Sequence, residues 1–252
     1  MDTGLIQALL IGLLSGMGLL AGAAFAVFVP LSHSRIASVV AVGAGLLLAA
    51  ASLELIDKAA MDASPIAAAV GFCLGAAAFS LVNLALRRWG AERRKRCGEC
   101  VRQPSEQEVA GSGLAIAIGS ILDNVPESMV LGFAVQAGED LFTALPLVIA
   151  FALANAVEGL TSASGMLQAR RSRRYVFTIW GFAALAAALS AAVGWMIYTG
   201  EETHRAWLQA FAAGALVALV LETLAPEAVH KMAPCAGLLG AIGFALYLAL
   251  VG

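Results

Sequence analysis

Residues 120–132 read SILDNVPESMVLG, in which Asp123, Asn124, Pro126 and Glu127 interrupt a stretch otherwise as apolar as a membrane helix. Further along, LANAVEG at 153–159 repeats the Leu, Asn and Glu of LDNVPES at 122–128. Each copy sets an amide and a carboxylate at i, i+3, Asn124 with Glu127 and Asn155 with Glu158, on one helical face. Two adjacent antiparallel helices can turn such faces toward each other. Carboxylates and amides supply oxygen donors, and several oxygens around one point suit a desolvated divalent cation.

A charge near the middle of a bilayer costs at least ~2.5 kcal/mol on insertion scales, so Asp123, Glu127 and Glu158 together need a compensating positive charge. No lysine, arginine or histidine lies inside any of the apolar spans. The partner is then a proton or a bound cation. Pro126 adds to the pattern, because it has no N–H for the carbonyl of Leu122, and a freed carbonyl with a local kink can help form an ion site. The competing structural role is that of protonated carboxyls bonded across a helix interface as packing glue with the asparagines.

The elements that must position these residues are legible in the composition. The 252 residues are 61% hydrophobic and 13% charged, which excludes an ordinary soluble enzyme and marks an all-α polytopic membrane protein. Eight apolar stretches can be laid out as spans, at 5–29, 36–56, 65–86, 111–138, 141–168, 175–199, 206–227 and 233–251, in a single transmembrane domain over 1–252. The first is too long for the apolar region of a signal peptide and is read as a retained span. Only 87–110, RRWGAERRKRCGECVRQPSEQEVA, is a long polar connection.

Thirteen of the fifteen lysines and arginines follow odd-numbered spans, in clusters such as Arg93 to Arg96 and Arg170 to Arg174. Lys58 and Arg205 alone fall on the other side, beside acids such as Asp57, Asp62, Glu201 and Glu202. This asymmetry predicts a cytoplasmic position for the basic loops and an outward position for both termini. The basic clusters are topology signals and lipid-headgroup contacts, not a nucleic-acid surface. Residues 41–60 also align without gaps on 210–229, with seven identities in twenty. These stretches belong to the second and seventh spans, which run in opposite directions, as inverted repeats do in secondary transporters.

The chain resembles the ZRT/IRT-like (ZIP) divalent-metal transporters over nearly its whole length. The family's fourth span carries His-Asn-x-Pro-Glu-Gly, against Asp123, Asn124, Val125, Pro126, Glu127 and Ser128 here. Its fifth carries His, an Asn or acid, x-Pro and an acid or His, against Ala154, Asn155, Ala156, Val157 and Glu158. FAAGALVALVLETLAPEA in the seventh span is similar to the family's Gly-to-Glu-x-x-Pro-Glu-Ala run, with Glu222 at its first acid. The resemblance implies an eight-helix bundle with both ends outside, no enzymatic activity, no organic cofactor, a homodimer, and a divalent metal ion of the zinc, manganese or iron class as substrate. It implies Asp123, Asn124, Glu127, Asn155, Glu158 and Glu222 as the metal-site residues, in a multi-pass protein of the inner (plasma) membrane.

The departures bear on which metal. Both motif histidines are missing, replaced by Asp123 and Ala154, the fifth-span proline is Val157, and the sixth span has no acid. Loss of imidazole shifts an oxygen-only set from zinc or copper toward harder ions such as manganese or ferrous iron. Cys97 and Cys100 form a Cys-x-x-Cys pair in the basic loop, half of a tetrahedral zinc site or an incidental pair. Glu54, His33, His204 and His230 lie near span ends, where solvation is the simpler role. The function expected is metal uptake into the cytoplasm by alternating access around a midplane site. The alternatives are a degenerate relative that senses metal or scaffolds a partner without transport, and a proton-coupled carrier of another solute.

Overall fold

The computed structural model describes residues 3–29, 31–87, 108, 112–138, 141–198, 200–232 and 234–251. Among the described residues there are eight helical rods and no strands. Helix α1 is Thr3–Phe28. Helix α2 runs from His33–Ala49 through a π-helical turn, Ala50–Ile56, into Asp57–Asp62. Helices α3, α4, α5 and α6 are Pro65–Arg87, Ser112–Gln136, Leu141–Gln168 and Arg173–Ile197. Helix α7 runs from Glu202–Leu219 through a second π turn, Val220–Leu224, into Ala225–Met232, and α8 is Ala236–Val251.

Local chemistry sets several starts. Ser32 and Ser172 cap α2 and α6, accepting from the backbone N–H of Arg35 at 3.4 Å and Tyr175 at 3.2 Å. Pro65 opens α3 behind Ser64, whose hydroxyl accepts from Ala67 N–H at 3.2 Å, so the missing proline donor costs no helical bond.

Six helical segments among the described residues are long and apolar enough to cross a membrane: Thr3–Phe28, His33–Asp62, Pro65–Leu86, Ala144–Gln168, Arg173–Ile197 and Glu202–His230. The other two rods, α4 with Asp123, Asn124, Pro126 and Glu127 in its middle and the 16-residue α8, occupy the remaining expected stretches. The side chains turned outward are those that lipid solvates. Leu14, Leu81, Phe182, Leu189 and Leu238 are all more than half exposed, an apolar exterior that an aqueous protein could not keep.

The rods form two four-helix groups. In one, α1 lies against α5 and α6, and α4 lies against α6; in the other, α3 lies against α7, and α2 against α8. The groups meet where α2 touches α5 and α7 touches α4. Exchanging α1 with α6, α2 with α7, α3 with α8 and α4 with α5 maps this pattern onto itself. The two π turns obey the same exchange: in the alignment of 41–60 on 210–229, residues 51–55 fall on 220–224.

Close approach of backbones holds each group together, as small-residue packing does in lipid. A Cβ at Gly22 would overlap the Ala156 carbonyl of α5, and one at Gly159 the Leu19 carbonyl of α1. Gly132 and Gly194 do the same between α4 and α6, Gly75 and Gly214 between α3 and α7, and Gly45 and Gly243 between α2 and α8. Gly12 and Gly16 seat α1 on Ala184, Ala187 and Ala191 of α6, and Gly18 meets the Ala152 carbonyl of α5.

Candidate metal centre

Helix α4 carries Asp123, Asn124, Glu127 and Ser128 on little more than one turn, and α5 carries Asn155 and Glu158. The connection between them spans only 137–140, so they run as antiparallel neighbours in contact. Asp123 and Asn155 are 0% exposed, Asn124 and Glu127 1%, and Glu158 4%. Burial this complete in lipid-embedded helices requires satisfied polar groups.

The two asparagines meet. Asn124 Nδ2 donates to Asn155 Oδ1, and Ser128 Oγ donates to Asn124 Oδ1 at 2.8 Å. Asn155 Nδ2 in turn donates to Ser15 of α1, to its carbonyl at 3.1 Å and its hydroxyl at 3.0 Å. Because the helices are antiparallel, Glu127 and Glu158 lie one turn to either side of this amide pair, about 4.5 Å along each axis. The level of the amides is therefore flanked by two carboxylates. Pro126 sits inside α4 beside them, and Thr161 and Ser164 return their hydroxyls to the carbonyls of Val157 and Leu160 at 2.7 Å.

Asp123 opens onto a cavity of about 150 Å³ between α3, α4 and α7, lined also by Phe79, Asn83, Pro126 and Phe211. On its α3 side Asn83 Nδ2 donates to Glu222 Oε2 at 2.6 Å, and Ser80 Oγ donates to Glu222 Oε1. Glu222, on the second π turn, is thus bonded to α3, whereas the asparagine pair joins α4 and α5. A π turn of this kind commonly accompanies a functional position, because the extra residue re-aims a side chain. Ala154 is buried where the family motif has its second histidine.

Among the described residues, no group of three or more His, Cys, Asp or Glu side chains is gathered closely enough to form a ready-made metal cage. The preassembled part is the chain of amides and serines. Ser15 and Ser128, both 0% exposed, were not among the residues singled out from sequence; Ser15 arrives from a helix over a hundred residues away and carries no motif signal. Glu227, 6% exposed on α7, is a further buried acid. Glu54 pairs with Lys58, and Arg205 with Asp62 at 2.8 Å, so both lone basic residues of these acidic connections have acidic partners. His204 stacks on Tyr198 with ring centroids 6.4 Å apart. Cys97 and Cys100 lie outside the described residues.

Membrane-length helices with lipid-facing leucines, enclosing acids and amides on helices α4 and α5 that lack lysine, arginine and histidine, define a polytopic membrane protein with an interior lined by acids and amides. A family model described as ZIP zinc transporter matches residues 90–250, well over half of the chain. The chain belongs to this family, and so is a multi-pass membrane transporter of divalent metal ions and not an enzyme. The match takes in α4 to α7 and nearly all of α8, including both Asn-x-x-Glu faces. A comparison with curated proteins returned no match.

Proposed function

We propose that this transporter carries a divalent transition metal of the zinc, manganese or ferrous-iron class into the cytoplasm by alternating access, through a site on Asp123, Glu127 and Glu158. The observation that carries the reading is the burial of all three acids on two helices without lysine, arginine or histidine. A divalent ion is the counter-charge such a layer stabilises, and alternating exposure of the layer moves it. Glu127 and Glu158 flank the ion, and Asp123 takes the place of the family's histidine. Glu222, exposed and bonded to Ser80 and to the cavity-lining Asn83, provides a further polar station beside the Asp123 cavity.

All eight rods cross the membrane in this reading, as one domain of two inverted halves in the inner (plasma) membrane, with both termini outside. The self-mapping helix contacts and the matched π turns support it, as does the arginine-rich character of the loops on one side. Helix α8, with Gly243 close against the Val42 carbonyl of α2, spans at 16 residues with local bilayer thinning to take up the mismatch.

The oxygen-rich donor set favours manganese and ferrous iron over zinc relative to a histidine-bearing site. Competition among manganese, iron, cobalt and zinc for uptake by the reconstituted protein is expected to rank manganese or iron first; a strong zinc preference would refute the selectivity assignment. Metal binding requires ionised carboxylates, so protons compete with the ion and the half-saturating metal concentration is expected to rise as pH falls. Uptake whose affinity and rate are both unchanged on acidification would exclude that competition.

A further inference from the structure

The structure assigns the two asparagines of the motif a different task from ligation: we infer that Asn124 and Asn155 are positioning residues, locked by Ser15 and Ser128 into one hydrogen-bond chain that holds the carboxylate-bearing faces of α4 and α5 in register with α1. This inference rests on the metal-site reading above and concerns how that site is held.

The hydrogen-bond chain has a fixed direction. Its terminus is the carbonyl of Ser15, which can only accept, so Asn155 must turn its NH2 toward α1. That turns Asn155 Oδ1 toward α4, where only a donor suits it, and Asn124 supplies its own NH2. Asn124 Oδ1 is then left facing Ser128, whose hydroxyl rotates to donate at 2.8 Å. One backbone acceptor on α1 thus sets the orientation of two amides on two other helices. Ser15, Asn124, Ser128 and Asn155 are each at most 1% exposed, so no water competes for the bonds. Both amide oxygens already receive a hydrogen bond, and both amide nitrogens, which cannot ligate a cation, are spent on tying helices together.

The substitution Asn155→Asp separates the two roles. If the amide oxygen were a ligand, a carboxylate in its place would bind a divalent ion as well or better. If the amide is a positioning group, the carboxylate of Asn155→Asp would face the Ser15 carbonyl with no donor to offer it. The full-length protein in detergent would be titrated with manganese and, separately, zinc, and its uptake kinetics measured in proteoliposomes, for wild type, Asn155→Asp, and Ser15→Ala combined with Ser128→Ala. Outer-shell hydrogen bonds are worth about 10- to 100-fold in metal affinity, so Asn155→Asp is expected to weaken binding at least about tenfold. The serine pair keeps every acid and amide, removes only two hydroxyls, and is expected to raise Kd and KM by about tenfold while the maximal rate stays within about twofold of wild type.

Equal or tighter binding by Asn155→Asp would overturn the inference in favour of ligation. Should that variant fail to fold, the serine pair decides alone, and an unchanged Kd there would equally overturn it. Wild-type protein that binds metal but moves none would contradict the transport reading only, since the Kd comparison still stands. Wild-type protein that binds no divalent ion would contradict both.

Discussion

Glu127→Gln combined with Glu158→Gln is expected to abolish metal uptake and lower metal affinity more than about 100-fold, while leaving the folded yield near that of wild type. Removing one partner from a buried charge pair costs about 3–5 kcal/mol, and each 1.4 kcal/mol is tenfold in affinity, so the loss of even one carboxylate from a bound ion reaches that range. Glutamine keeps the volume and a carbonyl oxygen, and a neutral amide is cheaper than a carboxylate inside a bilayer. The packing of α4 and α5 on their neighbours is set by glycine contacts at Gly132 and Gly159, which the substitutions leave alone. Calorimetric titration with thermal melting of the same samples checks both halves. Affinity within a few-fold of wild type would remove these glutamates from the site.

Gly22→Ala is expected to be strongly destabilising. Its Cβ would overlap the carbonyl of Ala156, with the backbone of Leu160 also in the way, and neither can yield as a flexible side chain would. Helix α1 would have to separate from α5, and with it Ser15 from Asn155. Overpacking a close-packed site costs about 1–3 kcal/mol, and a backbone-on-backbone clash belongs at or above the upper end. Gly181→Ala on α6 is the control: nothing lies within 4 Å of the added carbon, and the helix gains the usual preference of alanine over glycine. A melting temperature for Gly22→Ala equal to that of the Gly181→Ala control would contradict the close approach of α1 and α5.

Much of the fold is written in hydropathy, because a helix in lipid must be apolar along a length that the bilayer dictates. The eight apolar stretches coincide with the eight rods to within a few residues at most ends, and the stretches at 36–56 and 206–227 fall short mainly because α2 and α7 continue into more polar turns around Asp57 and His230. The i, i+3 spacing of Asn124 with Glu127 and of Asn155 with Glu158 was enough to place each pair on one face, and the asparagines do meet. Sequence could not reveal the third member, Ser15, because a lone serine in an apolar helix has no periodic or motif signature, and its partner is 140 residues away. The π turns were equally hidden. An extra residue per turn leaves the hydropathy pattern nearly unchanged, and only the faint echo of 41–60 in 210–229 marked where the two turns fall. Glu222 had the right motif but not a legible neighbour, since Ser80 and Asn83 reach it across helices that are distant in sequence.

The most direct test of metal passage through the buried acids is time-resolved uptake of manganese and zinc into proteoliposomes holding the purified wild-type chain, run beside the Glu127→Gln, Glu158→Gln protein at equal reconstitution. Saturable accumulation by the wild type and none above empty vesicles by the variant is the expected result. Uptake that persists in the variant, or wild-type vesicles that accumulate neither ion, would contradict transport through Asp123, Glu127 and Glu158.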